Sequence, residues 1–178
     1  SNLTRCQIAN TSVVSVDPAP LAEALEGSVS LAIVDAPCSG QSLLVKGKPA
    51  PGCFHPRTIT MNLRRQRRIL AETSKAISPG GFVAYMTCTY SPEENEEVME
   101  WFVERFPEFS PVEVPALRHF RTHLSELPAY RLWPQSTLGA GSFVALFKRG
   151  ESDDPRKADG EPLPETLRPL WVSRNALR

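Results

Sequence analysis

The chain has 178 residues, which is enough for one ordinary domain with a real hydrophobic core. Lysine and arginine together number 20, as do aspartate and glutamate, so the formal net charge is zero and a histone-like or polybasic polyanion-binding protein is excluded. The apolar runs are no longer than about five residues, far below the roughly 20 of a membrane span, so we predict neither a transmembrane helix nor a signal peptide.

Short apolar segments alternate with helical patterns along the chain. Four segments rich in β-branched or aromatic residues predict buried strands, at 13–16, 30–34, 82–87 and 142–147. Helices are predicted between them, at 21–26, 59–77 and 92–106. The last of these helices has Ser91 and Glu94 at the spacing of a capping box, with Pro92 at its first position.

This order of elements predicts an α/β domain with a parallel sheet and right-handed crossovers. Four strands are fewer than an open doubly wound sheet usually has, so we expect the sheet to be incomplete. The proline-rich segment 107–135 has no clean period and predicts a long ordered loop or an insertion. We assign residues 1–149 to the domain and the polar, proline-rich residues 150–178 to a linker or tail.

Reactive residues follow two of the predicted strands. The strand at 30–34 leads into DAPCSG at 35–40, and the strand at 82–87 leads into CTYSPEENE at 88–96. Because the carboxyl ends of parallel strands meet at one edge of a sheet, we expect Cys38 and Cys88 in one crevice. Cys88 also precedes a predicted helix, whose dipole favours a thiolate nucleophile. The alternative is that both cysteines are small buried apolar residues.

These two motifs resemble a known enzyme family. DAPCSG at 35–40 and TCTYSPEENE at 87–96 are similar to motifs IV and VI of the Sun/Fmu-type RNA cytosine-5 methyltransferases, and the resemblance extends over residues 17–147. It implies a Rossmann-like class I methyltransferase sheet that is incomplete at its N-terminal side. The glycine-rich cofactor motif is expected before residue 1, so the activity of this chain alone is in question.

The resemblance also implies the roles of individual residues. Cys88 is the nucleophile that adds to carbon 6 of cytosine, which activates carbon 5 toward the methyl group of S-adenosylmethionine. Cys38 assists the release of the methylated base. Asp35 lies near the transferred methyl group or ring nitrogen 3 of cytosine, and Asp17 contacts the cofactor. Pro37 is placed against the substrate.

The charge distribution predicts an RNA-binding face. Residues 46–76 carry eight Lys or Arg and one Glu, whereas residues 91–113 carry eight Glu and one Arg. Arg64 and Arg68 share a helix face, and we predict that they contact the RNA backbone. The alternative is a solvated face with ion pairs along the helix.

We therefore predict methylation of carbon 5 of cytosine in RNA, with rRNA or tRNA as the substrate. The main alternative is a non-catalytic RNA-binding fragment or a degenerate relative that lacks the cofactor cradle. A cysteine hydrolase would need a histidine base, and the sequence places none at a strand end. No metal is predicted, because His119, His123, Cys53 and His55 lack the spacing of zinc ligands.

Two further expectations concern the surroundings of the protein. The four cysteines include no CxxC pair, and a chain of this size does not need disulfides, so we predict reduced thiols in a cytoplasmic protein. The missing strands would leave an apolar sheet edge, which predicts self-association or pairing with a missing N-terminal segment. The chain also opens at Ser1 without methionine, which we interpret as an internal fragment or a cloning remnant.

Overall fold

The structure is a computed structural model that describes residues 5–8, 11 and 13–151. These residues form a five-stranded sheet with helices packed on it. The helices are α1 (Pro18–Ala24), α2 (Ser42–Val45), α3 (Pro56–Ala76) and α4 (Glu96–Arg105). The strands are β1 (Val29–Asp35), β2 (Ile77–Thr87), β3 (Phe109–Pro111), β4 (Tyr130–Leu132) and β5 (Ser142–Arg149).

The beginnings of α1 and α3 follow from local sequence. Asp17 caps α1 by accepting a hydrogen bond from the Ala19 N–H at 3.1 Å, and a proline occupies the first turn. His55 caps α3 in the same way, through its ring nitrogen and the Arg57 N–H at 3.1 Å. Both helices therefore begin within three residues of their predicted starts.

The sheet is mixed rather than parallel throughout. β1 and β2 pair in parallel, as predicted, whereas β2 pairs antiparallel with β5. The short strands β3 and β4 pair antiparallel with opposite ends of β5. They arise from the proline-rich segment for which a loop was predicted, and they turn the chain so that β5 enters the sheet in the opposite direction.

One face of the sheet carries the core. Along β2 and β5 the buried side chains alternate, as a strand with one covered face requires; they are Val83, Tyr85, Phe143, Ala145 and Phe147. Helices α3 and α4 supply the facing layer, with Leu70 from α3 and Val98, Met99 and Phe102 from α4. All of these apolar side chains are fully buried, so the core lies between this face and the two long helices.

The opposite face of β1 is uncovered. Leu31 and Ile33 are 52% and 66% exposed, so the prediction that this strand is buried was wrong. Their neighbours on β2, Phe82 and Ala84, are only half-buried. An α/β sheet of the doubly wound kind has helices on both faces. The described residues cover one face, which fits an incomplete Rossmann-like sheet.

Two other predictions about elements were wrong. Residues 13–16 do not form a strand, and Val13 and Val16 are exposed, because no described strand pairs with this segment. Helix α4 begins at Glu96 rather than at residue 92, since the Ser91 hydroxyl binds Glu93 and Glu94 points into the interior. There is accordingly no capping box.

Two findings apply only to the described residues. No helix among them is both long and apolar enough to cross a bilayer. No group of three or more potential metal ligands comes together there either. The predicted tail lies outside the described residues from 152 onward.

Candidate active site

The carboxyl ends of β1 and β2 bring the two cysteines of the motifs together. The Ala36 N–H donates to the Met86 carbonyl at 2.9 Å, which continues the parallel pairing beyond the end of β1. The Ser42 N–H donates to the Cys88 carbonyl at 3.1 Å. Between these two bonds, the sulfur atoms of Cys38 and Cys88 lie 3.3 Å apart and share a hydrogen bond.

The two thiols share one hydrogen bond, and it shifts their pKa values in opposite directions. The hydrogen bond from Cys38 is the main reason that the pKa of Cys88 falls to about 6. The Ser42 hydroxyl and the Lys46 ammonium add to this, whereas burial and the Asp35 carboxylate oppose it. The same bond, together with burial, raises the pKa of Cys38. The hydrogen bond therefore favours the thiolate at Cys88 and the proton at Cys38.

This cause differs from the one predicted from the sequence. The expected source of the thiolate was the dipole of a helix beginning at residue 92. Because α4 begins at Glu96, its end is not adjacent to Cys88 along the chain. The hydrogen bond from the neighbouring thiol is the largest cause of the lowered pKa of Cys88.

The Cys38 loop is held on both sides by one pair of buried side chains. The Ser39 N–H donates to Oε2 of Glu94 at 2.9 Å. The Gln66 amide donates both to the Pro37 carbonyl at 3.0 Å and to the same Glu94 oxygen at 2.9 Å. Gln66 and Glu94 are fully buried. The residues before and after Cys38 are thus anchored to α3 and to the segment preceding α4.

The Cys88 loop is held by Asn95, which is also fully buried. The Thr87 hydroxyl donates to Oδ1 of Asn95 at 2.6 Å, and Nδ2 of Asn95 donates to the Thr89 carbonyl at 3.0 Å. Thr87 and Thr89 are the two neighbours of Cys88. One side chain therefore binds both neighbours of this thiol, through the hydroxyl of Thr87 and the backbone carbonyl of Thr89.

Further bonds join the two loops to each other. The hydroxyls of Ser39 and Thr89 are 2.7 Å apart. The Tyr90 N–H donates to Oε1 of Gln41 at 2.9 Å, and Nε2 of Gln41 donates to the Cys53 carbonyl at 3.1 Å. The loops form one hydrogen-bonded unit around the sulfur atoms.

A buried ion pair between Glu96 and Arg131 also binds this hydrogen-bonded unit. The Glu96 and Arg131 side chains are only 3% and 4% exposed, and Nε of Arg131 donates to Oε1 of Glu96 at 2.6 Å. Arg131 also donates to the Tyr90 carbonyl at 3.1 Å, and the Thr122 hydroxyl donates to Glu96 at 2.7 Å. This cluster links the Cys88 loop to β4.

Asp35 is exposed and precedes Cys38 by three residues. It ends β1 on the exposed face, and its charge acts on Cys88. Its carboxylate has no hydrogen-bond partner within the described ranges. Pro37, predicted to contact substrate, is half-buried beside Cys38, with its carbonyl bound to Gln66.

The remaining predicted residues lie on α1 and α3. Asp17 and Arg68 form an exposed ion pair at 3.0 Å, and the bonds to Ala19 and Arg68 lower the pKa of Asp17. The predicted cofactor contact is therefore paired with a predicted RNA contact. Arg64 is exposed and lines an open cavity of about 510 Å³ with Arg57 and Met61.

Several residues of this site were missed by the sequence analysis. Glu94 was interpreted as a helix cap, and no role was given to Asn95 or Gln41. The signal in the sequence was the run Glu94-Asn95-Glu96 at the end of the cysteine motif, which has more polar side chains than the capping of one helix requires. Its burial is a tertiary property.

Solved structures place this fold among class I methyltransferases. One, titled as a methyltransferase homolog protein from Pyrococcus horikoshii, is 25% identical and superposes with a TM-score of 0.66 over 83% of this chain and 48% of its own. Another, NSun6 from Pyrococcus horikoshii with SFG, shares the fold at 22% identity, with a TM-score of 0.68 over 85% of this chain and 38% of its own. The class is a methyltransferase-type α/β domain.

The particular family follows from sequence. A family profile described as 16S rRNA methyltransferase RsmB/F matches residues 1–148, and the chain belongs to that family. Ribosomal RNA small subunit methyltransferase F of Pectobacterium carotovorum is 29% identical over 90% of this chain and 34% of its own. The same-named protein of Cronobacter sakazakii is 30% identical over 89% and 33%. The chain thus spans about a third of these curated relatives.

Proposed function

We propose that this chain is the C-terminal part of the catalytic domain of an RNA cytosine-5 methyltransferase, acting on small-subunit ribosomal RNA. The observation that carries the proposal is the pair of sulfur atoms 3.3 Å apart, whose hydrogen bond lowers the pKa of Cys88 and raises that of Cys38. The names of the relatives, which are ribosomal RNA methyltransferases, support the choice of substrate.

The first step assigned to the chain is attack by Cys88. Carbon 5 of cytosine is a weak nucleophile, and addition of a thiolate to carbon 6 makes it enamine-like. The new bond joins the Cys88 sulfur to carbon 6, and the electrons of the 5,6 double bond move toward ring nitrogen 3. A proton at nitrogen 3 stabilises this adduct, and we assign the interaction with that nitrogen to the exposed carboxylate of Asp35, whose charge acts on Cys88.

The second step assigned to the chain is release. The proton on carbon 5 leaves to a base, its electron pair re-forms the 5,6 double bond, and the Cys88 sulfur departs as a thiolate. We assign this base to Cys38. Once the Cys88 sulfur is bound to carbon, the neighbouring anion that raises the pKa of Cys38 is gone, so Cys38 loses its own proton to solvent more readily and its thiolate then takes the proton from carbon 5.

The residues of the site fit S-adenosylmethionine, which is the cofactor of this family. When bound, it supplies the methyl group for carbon 5. Asp35 carries an unpartnered carboxylate at the end of the exposed apolar face of β1, which suits a cationic sulfonium or an adenosine group. Asp17 fits less directly, since its carboxylate is already bound to Arg68.

Arg64 and Pro37 are the residues proposed to contact RNA in this arrangement. Arg64 is exposed in a basic part of α3, whereas Arg68 already binds the Asp17 carboxylate, which partly neutralises its charge toward a phosphate. We place the protein in the cytoplasm, because its relatives act on ribosomal RNA. The uncovered face of β1 supports self-association or pairing with an N-terminal segment.

Single substitutions of the two cysteines test the mechanism in a full-length enzyme that carries these motifs. Cys88→Ala removes the nucleophile, so we expect no methylation and no covalent complex with RNA. Cys38→Ala slows attack at neutral pH, because it removes the bond that favours the Cys88 thiolate, but it keeps the nucleophile and removes the base for release, so we expect enzyme and RNA to remain linked. The measurement is a denaturing gel of enzyme incubated with substrate RNA and S-adenosylmethionine.

Two outcomes would contradict the proposal. A covalent complex for Cys88→Ala and none for Cys38→Ala would reverse the roles of the two thiols. Activity retained by both variants, with no complex in either lane, would remove covalent catalysis. Cys53→Ala is the matched control, because that cysteine lies outside the pair and is expected to keep its activity.

A further inference from the structure

Glu94 and Asn95 are consecutive residues, and each side chain holds the backbone next to one of the two thiols. Glu94, together with Gln66, binds the residues on either side of Cys38, and Asn95 binds those on either side of Cys88. We propose that Glu94 and Asn95 are positioning residues that set the separation of the two sulfur atoms. The inference rests on the proposed function, in which that separation matters.

The backbone of these two residues is itself fixed. The Tyr85 hydroxyl, in the core on β2, donates to the Glu94 carbonyl at 2.6 Å. The Asn95 N–H donates to the Pro92 carbonyl at 3.1 Å, and the Asn95 carbonyl accepts from the Met99 N–H at 3.1 Å. The two side chains therefore extend from a platform joined to the sheet and to the first turn of α4.

Burial of Glu94 is not explained by its local surroundings. A helix start keeps its capping carboxylates near solvent, and here the exposed Glu93 takes the bond from the Ser91 hydroxyl. Burying a carboxylate costs free energy that its hydrogen bonds must offset. The bonds that Glu94 makes are to Ser39, next to Cys38, and to Gln66, which binds the other neighbour of that cysteine. One oxygen of this buried carboxylate, Oε2, thus binds the Cys38 loop, and the other, Oε1, has no hydrogen-bond partner among the described residues.

The distance between the sulfur atoms controls the reactivity of Cys88. The hydrogen bond from Cys38 is the largest cause of the lowered pKa of Cys88, and such a bond weakens steeply when the atoms move apart. Loss of the Glu94 carboxylate frees the Ser39 N–H and lets the Cys38 loop move. The pKa of Cys88 should then rise toward the ordinary value of about 8.5.

The test is the pH dependence of Cys88 alkylation in the 178-residue chain. Iodoacetamide is added at pH 5 to 10, and modification of each cysteine is followed by peptide mass spectrometry. For Glu94→Ala we expect the rate at Cys88 to fall about tenfold at pH 7 and its midpoint to move upward. Glu94→Gln keeps an oxygen acceptor for Ser39 and should restore most of the rate. Glu97→Ala, at an exposed position of α4, is the matched control.

The outcomes separate positioning from simple stability. A structural role alone would lower the melting temperature and leave the pH profile of the folded protein unchanged, and that result for Glu94→Ala would overturn the proposal. If Glu94→Ala does not fold, Gln66→Met decides by the same criterion, because it removes the donor to Pro37 and Glu94. Asn95→Ala tests, by the same pH profile, whether Asn95 positions the loop that carries Cys88. No RNA is present in this assay, so its failure is distinct from the absence of a covalent RNA complex.

Discussion

At the scale of single residues, one proton decides how the site cysteines differ. It lies between two sulfur atoms 3.3 Å apart, and both side chains are only partly exposed. A thiolate in this position needs a donor, because burial alone would raise its pKa. Cys38 is that donor, so the two cysteines act as a pair rather than as two independent thiols.

Removing Cys38 should weaken Cys88 as a nucleophile toward a small reagent. In the folded protein Cys88 loses its proton as the pH rises through about 6, so it is reactive at pH 7. Cys38→Ala removes the hydrogen bond that favours the thiolate, and the half-maximal alkylation rate should move to a higher pH. Alkylation of Cys88 by iodoacetamide, followed against pH, measures the change. An unchanged midpoint would show that another group stabilises the thiolate.

At the scale of elements, the start of α4 is the unusual feature. Three polar residues before and within its first turn, Glu94, Asn95 and Glu96, are turned into the protein. Two of them hold the cysteine loops, and the third pairs with Arg131 of β4. No side chain at the N-cap of α4 makes a capping hydrogen bond, and the tertiary contacts of these three residues fix the beginning of the helix instead.

The Glu96–Arg131 pair should contribute strongly to stability. Arg131→Met leaves the Glu96 carboxylate buried without a cation, so we expect a loss of about 3–5 kcal/mol in the free energy of unfolding. The control is Arg121→Met, which breaks an exposed ion pair with Glu113 and should cost no more than about 1 kcal/mol. Urea denaturation followed by circular dichroism gives both values. Equal losses of unfolding free energy for the two variants would contradict the larger contribution expected of the buried pair.

At the scale of the whole molecule, the sheet has one covered and one open face. Helices α3 and α4 bury the core face, whereas Leu31 and Ile33 of β1 are exposed on the other. The outer edge of β1 also has no partner strand among the described residues. An apolar face next to an open edge favours association with another chain or segment.

We therefore expect the 178-residue chain to self-associate through β1. Ile33→Lys places a charge on the open face and should lower the apparent mass at high protein concentration. Leu138→Lys is the matched control, since Leu138 is as exposed but lies in a loop away from β1. Sedimentation velocity over a concentration series gives the masses. A monomer at every concentration would contradict the expectation.

The sequence by itself determined the parts of the protein that depend on local pattern. The apolar runs and their glycine and proline boundaries located β1, β2, β5 and α3, and the two cysteine motifs identified the loops that form the site. Parallel pairing of β1 with β2 followed from the order of the elements. These features were predictable because each rests on residues that are neighbours along the chain.

Only the tertiary structure decided the rest. The Ser39 N–H and its acceptor Glu94 are 55 residues apart, and the two sulfur atoms belong to residues 50 apart. Which polar side chains are buried, and which thiol keeps the proton, depend on such distant partners. The antiparallel β5 and the exposed face of β1 were missed for the same reason, because burial and pairing are set by whichever segments pack together in space.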